Sequence, residues 1–209
     1  RSDNCRVSDL SVSSDNLTFT YEAKSLPYPI DTSYYDNEKH TQADALSVIP
    51  FMDEMNYEGL SVSGLSDGYY GLTIGGEFIG RFTARELERG INMALLQNTP
   101  QYKQAMKIRQ MNEERWLKER KMREFYWVEY NLMRKTGMLW ACNEAAVDTL
   151  RKYRPHDIFL QWNGDLWLQY MHKGIREDCV NEQQYLVNRI YEQNKPIPLR
   201  IEIKKFTDL

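Results

Sequence analysis

Three histidines and three cysteines are the side chains in this 209-residue chain best suited to nucleophilic or metal chemistry. A nucleophile needs an imidazole base within hydrogen-bond reach, and that base needs a group to orient it. His40, His156 and His172 have Asn37, Tyr153 and Gln169 three residues before them, so none belongs to an Asp-x-x-His block. No Gly-x-Ser-x-Gly elbow occurs, and the nearest approach to Gly-Asp-Ser, Gly164-Asp165-Leu166, has Leu in the nucleophile's place. Cys5, Cys142 and Cys179 lie far apart, outside any Cys-x-x-Cys spacing; they are read as free thiols, with one disulfide as the alternative. Cys179 and His172 together lack the remaining ligands of a structural zinc. There is no His-Glu-x-x-His helix, P-loop or dinucleotide fingerprint. The residues therefore predict no catalytic group, no metal site and no cofactor.

Binding is the other chemistry on offer. The stretch GINMALLQNTPQYKQA, Gly90 to Ala105, gathers small amides beside a Thr-Pro break. Amides near a helix joint can orient sugar hydroxyls, which makes Asn92, Asn98 and Gln101 the candidates for substrate contact. The structural alternative is that Gln97 and Asn98 satisfy loose groups at helix ends. Trp116, Trp127, Trp140, Trp162 and Trp167 are read as helical core, with a carbohydrate or acyl groove as the alternative.

The elements that must position these residues divide into two kinds. CRVSDLSV (Cys5 to Val12) and NLTFTYEA (Asn16 to Ala23) alternate with period two around a Ser-Ser-Asp-Asn turn and predict a hairpin. Pro27 and Pro29 fix an extended loop in which Tyr28, Tyr34 and Tyr35 can dock. A short helix is expected from about Ala43 to Met55, across Pro50. GLSVSGL, GYYGLTIGG and EFIGRFT predict three short strands, forming a small antiparallel sheet layered on the first hairpin.

Helices follow. Thr83-Ala-Arg-Glu86 is a capping box, and its helix is expected to reach about Leu96. Thr99-Pro100 supplies an N-cap and a first-turn proline for a long helix to about Lys135. Its apolar residues fall on two sides, Tyr102, Ala105, Met106, Trp116, Leu117 and Trp127 against Ile108, Met111, Met122, Phe125, Tyr126 and Met133. That predicts a central strut with neighbours on both flanks. Further helices are expected over Asn143–Lys152, over the aromatic run near Phe159–Tyr170 as a broken helix, and over Glu177–Tyr191 as an amphipathic helix with Val180, Val187, Ile190 and Tyr191 mostly on one side. LRIEIKKF then alternates as a strand with Leu199, Ile201 and Ile203 inward. The class is α+β: residues 1–82 mainly β, 83–195 a helical bundle around the long helix, and 196–209 a strand returning to the β portion, which makes one integrated domain.

The net charge of −3 gives no electrostatic reason to expect nucleic acid as a partner. No apolar run approaches the roughly 20 residues of a membrane-spanning helix. Arg1 opens the chain with neither Met nor a signal pattern, so it is read as a processed or excised piece.

SLPYPID, VSGLSDGYYGLTIGGEFIGRFTARELERGINMALLQNTPQYKQA, NEERW and NKPIPLRIEI together resemble the C-terminal region of exported bacterial SGNH (GDSL-type) hydrolases of Bacteroides-like organisms, from about Asn4 to Phe206. The resemblance implies a partner, the N-terminal hydrolase domain that carries the Ser, Gly, Asn and Asp-x-x-His blocks, none of which has a matching position here. It also implies ester hydrolysis on an acylated substrate such as a decorated glycan, in the periplasm or at the cell surface. Two other functions fit the residues: a carbohydrate- or protein-binding module built on the Trp-rich helices, and a self-contained hydrolase using His156 or His172.

Overall fold

The computed structural model describes residues 2–31 and 40–206. Backbone packing divides the chain into two units, Arg1–Arg109 with Glu192–Leu209, and Gln110–Tyr191. The first unit keeps Ala84, Leu87 and Met93 in the same core as the sheet.

In the first unit, strands β1 (Cys5–Val12) and β2 (Asn16–Ala23) form the predicted hairpin. β4 (Tyr69–Ile74) and β5 (Glu77–Thr83) form a second one, turning through Gly75 and Gly76, whose φ of 59° and 85° suit a two-residue hairpin loop. The two hairpins do not stack as layers. They lie edge to edge in one antiparallel sheet of order β1-β2-β7-β4-β5, joined by β7 (Leu199–Lys205). Leu199, Ile201 and Ile203 point into the core as their alternation predicts, so the last strand is central to the sheet.

GLSVSGL is mostly not a strand. Only β3 (Gly59–Leu60) is extended and paired, against β6 (Ile91–Asn92) in a separate two-stranded sheet. The expected helix across Pro50 is two pieces, a 3-10 turn at Gln42–Ser47 and α1 (Phe51–Glu54), with Pro50 at the N-cap of the second. The Thr83 capping box forms: Glu86 N donates to Thr83 Oγ1 at 3.2 Å and Thr83 N to Glu86 Oε2 at 2.7 Å. Helix α2 (Ala84–Arg89) is shorter than expected, because Gly90 at φ 94° turns the chain into β6. Thr99, fully buried, precedes α3 (Pro100–Val128), and Pro100 occupies its first turn. Tyr34 and Tyr35 lie outside the described residues.

The second unit is helical, comprising the rest of α3, a π-helical turn at Glu129–Met133, α4 (Glu144–Tyr153), α5 (Ile158–Tyr170) and most of α6 (Lys173–Gln193). Asn143 caps α4 through Ala146 N, and Asp157 caps α5 through Phe159 N and Leu160 N. α5 is continuous where a break was expected. Its Gly164 is buried against the Arg154 side chain, and Arg154 pairs with Asp165 at 2.6 Å. The core contains Met122, Phe125, Val128, Met133, Leu150 and Trp167.

Two helical faces differ from expectation. Trp116, Leu117 and Tyr126 of α3 are exposed, so the double apolar stripe does not persist along the helix. Along α6, Cys179 and Leu186 are buried while Val180 and Tyr191 face solvent. Periodicity locates a stripe, but which stripe is covered depends on the neighbours. The pairs Lys118–Glu114 and Arg123–Glu119 form at 3.8 and 3.7 Å, as their spacing predicts.

Candidate functional site

Two of the three candidate amides converge on one residue, Glu58. Asn92 Oδ1 accepts from Glu58 N at 2.9 Å and from Ala94 N at 3.0 Å. Its Nδ2 donates to Met52 O at 2.8 Å and Asn56 O at 3.1 Å. All four hydrogen-bonding positions of the Asn92 amide are thus filled by backbone. Glu58 O accepts from Met93 N at 2.8 Å, which pins the backbone of Glu58 on both sides.

The Glu58 carboxylate takes Tyr21 Oη–H at 2.9 Å, and Gln101 Nε2 lies 3.3 Å from each of its oxygens. Gln101 is only 4% exposed, and its Oε1 has no hydrogen-bond partner. Asn98 goes elsewhere: its Nδ2 donates to Ile79 O at 2.8 Å, tying the joint before α3 to the sheet.

No cation reaches Glu58 among the described residues. Burial accordingly pushes its carboxyl above the ordinary glutamate range, against the smaller lowering by Tyr21 and Gln101. Burial is also the main reason that the Tyr21 phenol is raised, with the Glu58 charge adding to it. A pocket of about 260 Å³ opens beside the pair, and its walls include Cys5, Tyr21, Asn56, Tyr57 and Glu58. Asn56 fixes one wall by exchanging two bonds with the Tyr28 backbone, at 2.8 and 2.9 Å. A rigidly held carboxyl of this kind can donate or accept a proton, or face a positive group.

Nothing in the sequence marks Glu58. It is one of 30 acidic residues, and Tyr21 and Gln101 lie 37 and 43 positions away from it.

The second unit holds the imidazoles. His172 Nδ1 lies 3.3 Å from Cys142 Sγ, so the thiol beside His172 is Cys142 and not Cys179, which is buried. All three cysteines are free. His156 lines a cleft of about 370 Å³ with Trp127, Asn131, Lys135, Tyr153 and Asp157. Among the described residues no serine hydroxyl bonds either imidazole, and no group of three or more His, Cys, Asp and Glu is placed to hold a metal.

Of the five tryptophans only Trp167 is fully buried. Trp116, Trp140 and Trp162 are 41%, 45% and 68% exposed, against the core reading. Trp140 adopts φ 63°, unusual for a bulky side chain. The buried carboxylate of Glu129, in the π turn, holds it there: Oε2 accepts Trp140 N and Oε1 accepts Trp167 Nε1, both at 2.8 Å. Trp140 then stands nearly perpendicular to Tyr126 and Tyr130, at 6.0 and 5.8 Å, on an exposed aromatic surface.

Residues 106–195 match the diltiazem deacetylase C-terminal helical domain. The chain also superposes on the solved structure of a gut microbial diltiazem-metabolizing enzyme with a TM-score of 0.91 and 35% sequence identity. The match covers 99% of this chain and 47% of that one, so the chain spans about half the length of the enzyme it resembles. No curated protein matches. At the level of a hydrolase-related C-terminal region, the similarity agrees with the resemblance read from the sequence. No helix among the described residues is long and apolar enough to cross a membrane.

Proposed function

We propose that this chain is the C-terminal region of a GDSL/SGNH-like esterase, exported to the periplasm or cell surface, and contributes no catalytic residue of its own. In this reading it packs on a preceding hydrolase domain and completes the cleft for an acylated substrate, such as a decorated glycan. One observation carries the proposal: the similarity to a diltiazem-metabolizing enzyme runs through 99% of this chain and only 47% of that protein. The lack of Gly-Asp-Ser and Asp-x-x-His blocks agrees with it. The hydroxyl, imidazole and oxyanion donors of ester cleavage then belong to the other domain. Of the three candidate amides, Asn92 has every position bonded and Gln101 is buried, so Asn98, exposed at the joint before α3, is the one best able to serve a ligand.

The experiment compares 4-nitrophenyl acetate and butyrate hydrolysis by this chain alone and joined to a preceding hydrolase domain. Activity is expected only in the joined protein, and turnover by the chain alone at the same rate would overturn the proposal. A second reading, a glycan-binding module, is favoured by the exposed Tyr126, Tyr130 and Trp140 surface. Quenching of Trp140 fluorescence by oligosaccharides, lost in Trp140→Ala, would support it; identical titrations of the two proteins would exclude it.

A further inference from the structure

We propose that the pocket beside Glu58 binds an organic ammonium group, with the Glu58 carboxylate as its hydrogen-bonding counter-ion. The inference stands whether or not a hydrolase domain precedes the chain.

The first argument is charge. Among the described residues, no lysine, arginine or histidine lines this pocket, and no cation pairs with Glu58. A half-buried carboxylate without a cation carries a desolvation cost, and an incoming positive group relieves that cost where a neutral one cannot. The second argument is hydrogen-bonding capacity. A carboxylate offers about four acceptor sites, and Tyr21 and Gln101 are the two side chains that donate to this one. The unpartnered Gln101 Oε1 is buried and does not line the pocket, so the acceptor sites open to a ligand are those of the carboxylate. The cluster is therefore rich in acceptors and short of donors, which an N–H-bearing cation would supply.

The third argument is the shape and chemistry of the walls. Tyr57 lies across Gly59 so closely that a Cβ there would come within 2.4 Å of its Cε1. Gly59 thus provides the seat for an exposed aromatic ring at the pocket wall, and Tyr21 provides a second ring. Aromatic rings near a carboxylate make favourable surroundings for an ammonium group. A volume of about 260 Å³ suits a small amine head group rather than a whole drug-sized ligand. A metal ion is the poorer occupant, since no group of three or more acidic, His or Cys side chains is assembled among the described residues.

The backbone of Glu58 is held before any ligand arrives, by Asn92 on one side and Met93 on the other. Such preorganisation lowers the ordering cost of binding.

The test titrates the full chain with N,N-dimethylethanolammonium, its uncharged isostere 3-methyl-1-butanol, and choline, which has the charge but no N–H. Ligand-observed NMR gives the three affinities. Saturable binding of dimethylethanolammonium is expected, with choline weaker and the isostere at least about ten-fold weaker. Glu58→Gln should weaken the ammonium by about ten-fold or more while thermal melting shows the protein folded. Tyr57→Ala, on an exposed side chain, should weaken it by about three-fold, and decides the matter if Glu58→Gln does not fold. No saturable ammonium binding, equal binding of the isostere, or unchanged affinity in the variants would overturn the proposal.

Discussion

Asn92→Ala removes the residue on which the Glu58 site is hung, and its effect can be worked out in advance. The side chain accepts from Glu58 N and Ala94 N and donates to Met52 O and Asn56 O, all within 3.1 Å. Each such bond contributes about 1 kcal/mol net, and a buried partner left unsatisfied costs about 1–3 kcal/mol. Asn92 and Glu58 are only partly buried while Ala94, Met52 and Asn56 are buried, so water can replace only part of the loss. The expected destabilisation is therefore about 3–5 kcal/mol, a large share of the roughly 5–15 kcal/mol that holds a domain folded. At about 2–4 °C per kcal/mol for a chain of this size, melting should fall by on the order of 10 °C. Asn92→Asp separates the two halves of the interaction: it retains an acceptor for the Glu58 and Ala94 amides but turns a second oxygen toward two carbonyls. It should be nearly as damaging as alanine at neutral pH and less so in acid, where the carboxyl regains a donor. Urea denaturation followed by circular dichroism, with amide exchange at Glu58, measures both. A loss below about 1 kcal/mol for Asn92→Ala, or a neutral-pH Asp variant as stable as wild type, would refute the reasoning.

Three other outcomes follow from the geometry. Burial raises the Glu58 carboxyl, so the folded chain holds that proton to higher pH than the unfolded chain; stability from this group is full below the ordinary glutamate value and is lost as pH rises through the folded one. Glu58→Gln should therefore gain on wild type from about pH 4 upward, and a stability difference that stays flat with pH contradicts this. Glu129→Ala should destabilise the second unit by about 2–5 kcal/mol, because Trp140 N and Trp167 Nε1 lose their acceptor together; an unshifted Trp167 emission with unchanged melting argues against it. Gly59→Ala should displace the exposed Tyr57 ring at a stability cost below about 1 kcal/mol, while weakening ammonium binding as much as Tyr57→Ala does, as the same NMR titration would reveal.

What could be read without coordinates is what depends on three or four consecutive residues. The Thr83–Glu86 box, the Thr99-Pro100 start of α3, the Asn143 start of α4 and the Gly75-Gly76 turn are such cases, because each cap or turn closes within its own stretch of chain. The alternation of Leu199, Ile201 and Ile203 likewise marks a half-buried strand. It could not reveal that this strand joins the two hairpins, since Leu17 and Leu72 both lie far from Ile203 in the sequence and meet it from opposite sides of the strand.

Tertiary structure alone decided the rest. α2 ends at Gly90, and the chain continues as a strand because Ile91 and Asn92 find Leu60 and Gly59 as partners. Trp167 is buried while Trp140 is exposed, although both are tied to Glu129. Composition records how many aromatic rings there are, not which of them find neighbours. The Glu58 pocket depends on Tyr21, Asn92 and Gln101 meeting across long separations. A carboxyl acquires unusual chemistry only when folding strips its water and withholds a cation, and no local pattern encodes that event.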